Sequence, residues 1–176
     1  SNHRMKPIKT LLRSLALALL ACAVPARAEI VNVAGDGTPY ADRPLYANAS
    51  IYALIDQNRT AVFHSETDDT PGLAYAVDLG KNFTITSLKV YPRQDGCCPE
   101  RFRNVRISIH NDNAGAPGAE VWGQTLYGDG TNPGSGPGIV VEVVLPTPQS
   151  GRWVRLEALD NPPGDYALQM TELEVY

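Results

Sequence analysis

VRISIH, residues 105–110, decides the fold. Val105, Ile107 and Ile109 are apolar, and Arg106, Ser108 and His110 alternate with them. A period of two puts one set on each face of an extended strand, one face in a core and one toward water. The reading extends in both directions. ITSLKVY repeats it through Ile85 and then, after a break of phase, Leu88 and Val90. LAYAVDLG (Leu73 to Gly80), AEVWGQTLY, IVVEVVLP, GRWVRLEAL and LQMTELEVY complete the set, each bounded by Gly, Pro, Asn or Asp. IVVEVVL is almost continuously apolar, which predicts a place at the centre of a sheet. No segment carries a helical stripe of useful length, and IYALID (Ile51 to Asp56) is expected to form one turn of helix or a short strand. Seven or eight short strands separated by turn chemistry predict an all-β fold. The expected form is an antiparallel β-sandwich of jelly-roll type, with an enclosed barrel as the alternative. Trp122 and Trp153 fall within strand patterns and are expected in the core.

The N-terminal region reads differently. From Met5, a basic start (Lys6, Lys9, Arg13) leads into the apolar run Leu15 to Val24 and then Ala26-Arg27-Ala28. That order is a secretory signal, and the run is too short to span a bilayer. Ser1 to Arg4 precede it. Cleavage after Ala28 leaves 148 residues, 29–176, as one domain. The alternative uses Leu19-Leu20-Ala21-Cys22 as a lipoprotein box with Cys22 lipidated. Both predict export, to the periplasm or beyond the cell.

Export changes the charge. The whole chain carries 15 Lys/Arg against 19 Asp/Glu, a net −4. All five basic residues of 1–28 leave with the signal, so the remainder holds 10 against 19, a net −9. Such a surface argues against nucleic acid and anionic membranes as partners, and no second apolar span predicts membrane insertion. GDGTNPGSGPG (Gly128 to Gly138) reads as a surface loop inside the domain. Three glycosylation-like triplets, beginning at Asn48, Asn58 and Asn82, are read as chance in a chain whose signal looks bacterial.

The chemistry gathers in RQDGCCPER, Arg93 to Arg101, between two strands. On an extended backbone Arg93 and Asp95 project to one side and Gln94 to the other. Asp95 can brace an arginine so that planar N–H donors face outward, suited to hydroxyl or carboxylate oxygens. Arg101, beyond the turn at Gly96 and Pro99, can converge on the same pocket. The plainer alternative is a surface ion pair beside a turn. With Cys22 removed, Cys97 and Cys98 remain, and in an oxidising compartment they pair with each other or with other molecules. Neighbouring Cα atoms lie about 3.8 Å apart, below the usual disulfide range of about 4.4–6.8 Å, so a bridge between neighbours closes a strained ring. It presents a flat, rigid, apolar surface suited to the apolar face of a sugar. A redox role competes, without a C-x-x-C or a helix N-terminus to support it. His64, in VFHSE, can both donate to and accept from a hydroxyl, although a lone His is more often structural.

Taken together, ALIDQNRTAVFHSE, YAVDLG, YPRQDGCCPER, GRWVRLEAL and MTELEVY resemble the successive signatures of the discoidin-like, galactose-binding-like jelly rolls. Within that group the pattern His64, Arg93-Gln94-Asp95, Cys97-Cys98, Arg101 resembles the fucose-binding F-type lectins, over roughly Ala49 to Tyr176. The resemblance implies that His64, Arg93 and Arg101 hydrogen-bond sugar hydroxyls, that Cys97-Cys98 stacks on the ring, and that Asp95 orients an arginine. It departs from the family at Gly96, which puts five residues rather than four between Asp95 and Arg101. Twenty-eight residues separate His64 from Arg93, a little more than usual. PRQDG also resembles galactose-binding relatives, so fucose and galactose both stand as expected sugars.

The resemblance further implies a structural Ca2+ site. Asp56 and Asn58 in ALIDQN match the family's acidic loop, with Gln57 replacing its usual Gly, and Glu172 matches a ligand near the C-terminal strand. Carbonyls of Ala53, Ala61 and Thr171 complete the implied oxygen shell, which suits calcium. A turn Asp and a surface Glu are the alternative. The expected function is therefore an exported, non-catalytic lectin for fucosylated or galactosylated glycans, with oligomerisation as a route to avidity. A discoidin-like interaction domain for protein or lipid is the other reading, against which the lack of basic loops counts. Nothing in the sequence singles out a pair of acids for glycoside cleavage, and Asp68-Asp69 is read as a solvated turn.

Overall fold

The computed structural model describes residues 30–66, 72–159 and 167–176. The signal-like segment with Cys22, and Asp68-Asp69, lie outside the described residues. Seven strands follow in order: β1 (Thr38–Ala41), β2 (Phe63–His64), β3 (Leu73–Pro92), β4 (Val105–Asp112), β5 (Pro117–Leu126), β6 (Val141–Ala158) and β7 (Gln169–Val175). Every pairing is antiparallel.

Two pairs of segments that the sequence reads as separate strands are continuous. LAYAVDLG and ITSLKVY form the 20 residues of β3, and IVVEVVLP and GRWVRLEAL form the 18 residues of β6. The register between β3 and β6 breaks from Asp78 to Phe83 and again from Ile85 to Ser87. At the first break Gly80 takes φ 79° and its N–H donates to Asp78 Oδ1 at 2.8 Å. Such irregularities bend a strand without ending it. Each long strand therefore serves two sheets. Before the bend, β3 lies between β1 and the second half of β6, which continues to β4 and β5. After it, β3 lies between β7 and the first half of β6, and β2 joins β7.

The two sheets close on one core. Phe63 of β2 meets Tyr75 of β3 edge-on, with centroids 4.3 Å apart. Val77, Ile107, Ile109 and Leu156 from one sheet pack with Leu88, Val90, Leu168 and Leu173 near the other, all essentially buried. This is the expected antiparallel sandwich. In VRISIH the apolar set points inward as expected, but Ser108 and His110 are buried as well, on the outer face. His110 donates from Nδ1 to Gly118 O at 2.9 Å, so its Nε2 accepts from the Ser108 hydroxyl at 2.8 Å.

IVVEVVL departs from expectation. Residues 141–149 of β6 have β3 on one side and no second strand among the described residues. They form an edge in which Val141, Val143 and Leu145 are buried while Val144 is 71% exposed. IYALID resolves as a 3-10 helix, Ile51–Leu54, started by Ser50, whose side chain accepts from the Tyr52 N–H at 3.3 Å. Trp122 packs against the core as expected. Trp153 is buried, but it alternates with the core residues Val154 and Leu156 and stands on the outer face.

Candidate functional site

The β2–β7 pairing sets His64 opposite Gln169. β3 ends at Pro92 and delivers Arg93 beside them. Gln169 is 2% exposed and joins the two: its Oε1 accepts from Arg93 Nη1 at 2.9 Å, and its Nε2 meets His64 Nε2. Arginine has only donors, so the amide oxygen must face Arg93 and the amide nitrogen must face the imidazole. His64 Nε2 is then the acceptor. Its Nδ1 carries the proton and donates to Ser65 O. The imidazole is thus fixed as one neutral tautomer, and Tyr46 stacks on it with centroids 4.7 Å apart.

Arg93 is fixed from the other side by Asp95. Nε donates to Oδ1 at 2.9 Å and Nη2 donates to Oδ2, a two-pronged pair. These bonds hold the Asp95 carboxyl down at about 2. The chain then turns at Gly96, φ 80°, with open space where a Cβ would stand, so conformation and not crowding makes glycine suitable there. The turn brings the Cys97 N–H back to Asp95 Oδ1 at 3.2 Å. Cys97 and Cys98 are joined as a disulfide between neighbours, with Cα atoms 3.8 Å apart. Cys98, at φ 56°, leads into the 3-10 helix Pro99–Arg101. Arg101 ends this helix, three residues beyond Cys98, its backbone N–H donating to Cys98 O at 3.1 Å.

Gln94 points away, as the alternation predicts, and ties the glycine-rich loop to the site. Its Nε2 donates to Pro92 O at 2.8 Å and Ile139 O at 2.9 Å, and its Oε1 accepts from the Gly138 N–H at 2.9 Å. The Gly136 N–H donates to Arg93 O at 2.8 Å.

His64, Arg93, Asp95, Cys97 and Cys98 therefore assemble as expected. Gln169 and Tyr46 were not singled out from sequence. Gln169 becomes legible only once β2 and β7 are paired, and Tyr46 only once Leu45 bridges Ser65.

The implied metal residues lie next door. The 3-10 helix Ile51–Leu54 packs on β7, with Ala53 buried. Glu172 and Glu174 point the same way from β7, and their fates differ. Glu174 accepts from Arg59 at 2.7 Å, Tyr91 at 3.0 Å and Tyr176 at 2.8 Å. Glu172 is fully buried and neither carboxylate oxygen has a partner at hydrogen-bonding geometry. Burial, then the charge of Asp56, pushes its carboxyl up to about 8, and the nearby Gln57 N–H offsets only part of that. Gln57, where the family has glycine, adopts φ 60°. Asp56 accepts from the Asn58 N–H at 2.8 Å, and Asn58 Oδ1 is engaged by the Thr60 N–H at 3.1 Å and hydroxyl at 2.6 Å, so Asn58 shapes the loop. Ala61 follows, half-buried, its N–H on Asn58 O at 3.2 Å. Thr171 is buried, its hydroxyl directed at Tyr91 O and Pro92 O at 3.4 and 3.3 Å. Among the described residues no three His, Cys, Asp or Glu side chains cluster. A buried carboxylate without a hydrogen-bond partner, close enough to Asp56 to feel its charge, fits a hard oxygen-seeking cation.

The sequence model of the F5/8 type C domain matches residues 41–172. The chain is 29% identical over 185 residues to fucolectin-1 of Anguilla japonica, spanning 98% of this chain and 96% of that one. Among solved structures, the lectin domain of lectinolysin complexed with Lewis B antigen matches with a TM-score of 0.67 at 22% identity, over 84% of this chain and 97% of the other. The family 32 CBM from C. perfringens NanJ, in complex with galactose, matches with a TM-score of 0.60 at 20% identity, over 82% and 96%.

Proposed function

The chain belongs to the F5/8 type C domain family, and on that premise we propose that it is a non-catalytic lectin for a fucose- or galactose-type sugar. The observation that carries this is the chain of contacts His64–Gln169–Arg93–Asp95, closed by the Cys97–Cys98 disulfide. It offers one oriented imidazole, one aimed guanidinium and one rigid apolar surface side by side. A pyranose has the complementary parts, hydroxyls at its rim and C–H groups on a face. Arg93 and Arg101 donate to hydroxyls. His64 accepts through Nε2 when a hydroxyl displaces the Gln169 amide from its single lone pair, and the disulfide floors the ring. Export through the N-terminal signal fits a protein whose site depends on an oxidised cysteine pair.

Asp56 and Glu172 hold a calcium ion on this reading, with carbonyls of Ala53, Ala61 and Thr171. The ion supplies the counter-charge that Glu172 lacks. Its work is structural, fixing the helix Ile51–Leu54 against β7, two residues from Gln169.

A glycan array with the purified protein, with and without calcium and reductant, tests the function. Binding confined to fucosides or galactosides and lost in Arg93→Ala is expected. Absence of glycan binding by a folded, oxidised protein, or glycosidase turnover, refutes it.

A further inference from the structure

A groove that shares no lining residue with the His64–Arg93 cluster has the parts of a binding site and no role in the function above. It lies on the outer face of the sheet formed by β1, the first half of β3, the second half of β6, β4 and β5. Tyr40 pairs with Ala76 and Ala76 with Arg155 across three strands, and Asp78 pairs with Trp153 one step along. Ala74 and Ala76 are too small to fill the space between taller neighbours, leaving a trough. Tyr40 walls one side and the β4–β5 turn, Gly115 to Pro117, the other. The cavity measures about 250 Å³, with Asp42 and Arg155 also lining it.

Its aromatic pair is pre-arranged. Trp153 is 1% exposed, and its Nε1–H donates to Asp112 Oδ1 at 3.0 Å. Tyr40, 46% exposed, rests on it with centroids 5.2 Å apart and planes at 51°. An exposed ring seated on a pinned one loses little freedom when a ligand covers it. Asp42, exposed, offers acceptors. Arg155 offers donors, with Nη1 directed to Glu157. A lining that carries one charge of each sign suits a neutral ligand rich in hydroxyls better than an ion of either sign.

We propose that this groove is a second saccharide site, in which a neutral pyranose stacks on Tyr40 and its hydroxyls reach Asp42 and Arg155. The domain is then bivalent, and able to bridge two sugars of one glycan surface without a second copy. The site uses no residue of the His64–Arg93 cluster, so either can fail alone.

The chain has two tryptophans, and only Trp153 lines the groove, so the two indole N–H signals report separately. The probes are methyl α-L-fucopyranoside, methyl β-D-galactopyranoside and methyl β-D-glucopyranoside, added to the full chain carrying Arg93→Ala and followed by 15N–1H NMR. At least one is expected to move the Trp153 signal saturably, with the Trp122 signal fixed. Adding Tyr40→Ala should weaken that response roughly tenfold, as loss of an aromatic contact does. Should Tyr40→Ala disturb the fold, seen as a moved Trp122 signal, Asp42→Ala at the exposed rim replaces it and should also weaken binding. A Trp153 signal unmoved by all three sugars at tens of millimolar overturns the proposal. So does a response seen in the unsubstituted chain and abolished by Arg93→Ala, which would place all binding in the first site.

Discussion

Gln169 was invisible to motif reading, and replacing it tests the site's logic most sharply. Gln169→Leu keeps the volume and removes both polar contacts, the one to Arg93 at 2.9 Å and the one to His64 Nε2. A hydrogen bond to a charged group is worth about 1.5–3 kcal/mol and a neutral one about 0.5–1.5. The Arg93 side chain is 16% exposed, so water recovers part of its loss, and roughly 2 kcal/mol of stability should go. Arg93 keeps its two contacts to Asp95, while His64 keeps Ser65 O and the Tyr46 stack but loses the amide that sets its Nε2. Sugar affinity should fall roughly tenfold, equivalent to about 1.4 kcal/mol. Gln169→Glu separates the two effects. It keeps an acceptor for Arg93 and loses the donor to His64, so the imidazole must place a proton on Nε2 to face it. With Nδ1–H still bound to Ser65 O, His64 becomes a cation. Stability should stay near that of the parent protein, while affinity falls as in the leucine variant, because Nε2 no longer has a lone pair to accept from a hydroxyl and its proton is held by a charged partner. Thermal unfolding and calorimetric titration with methyl α-L-fucopyranoside or its galactose counterpart give the two numbers. Long-range 15N–1H spectra of the three histidines read the tautomer directly. An Nε2–H tautomer for His64 in the parent protein, or parental affinity in Gln169→Glu, refutes the reasoning.

Three further outcomes follow from the same geometry. Reducing Cys97–Cys98 should weaken sugar binding with little change in melting temperature, because so short a closed loop constrains the unfolded chain very little; unchanged affinity would remove the stacking role. Asp95, held at about 2 against its ordinary 3.8, contributes stability that is present above the ordinary value and lost only as pH falls through about 2. Its grip on Arg93 therefore persists at mildly acidic pH. Asp95→Asn should lower affinity severalfold at neutral pH by misaiming Arg93, and an unchanged titration curve would count against the bracing. Glu172 runs the other way, since its carboxyl is raised from 4.5 to about 8. Without calcium, stability should fall as pH rises from about 4.5 to about 8. Calcium should restore it at pH 8, and Glu172→Gln should flatten the pH dependence and abolish the calcium shift in a melting assay. A calcium shift that survives Glu172→Gln puts the ion elsewhere.

Period-two alternation was enough to read the sandwich, because Val105, Ile107 and Ile109 do face one core. It could not show that β3 and β6 each run through both sheets. Gly80 and the polar residues around it look like a turn in sequence, whereas the structure uses them for a bulge within one strand. IVVEVVL misled for a related reason. An apolar run signals burial on both faces, yet Val144 points outward at an edge where β3 is the only neighbouring strand among the described residues. At the site, Arg93, Asp95 and the cysteines were legible because they are contiguous. Their chemistry is local, set by an extended backbone and one turn. Gln169 and Tyr46 reach His64 by strand pairing and a bridge across long sequence separations, which no spacing rule encodes.

β7 explains why the sugar cluster and the metal loop, found as separate motifs, belong to one device. Gln169, Thr171 and Glu172 lie within four residues of it. Gln169 sets His64 and Arg93, Thr171 binds the carbonyls of Tyr91 and Pro92 just before Arg93, and Glu172 faces Asp56. A buried carboxylate without partners would cost several kcal/mol if left charged, and its neighbour Glu174 shows how the fold satisfies such a group when no ion is intended, with Arg59, Tyr91 and Tyr176 all directed at it. The contrast between two acids two residues apart on one strand is the strongest argument that Glu172 is reserved for a cation. On that reading the ion steadies the strand that aims the sugar site, so the metal loop tunes affinity without touching the sugar.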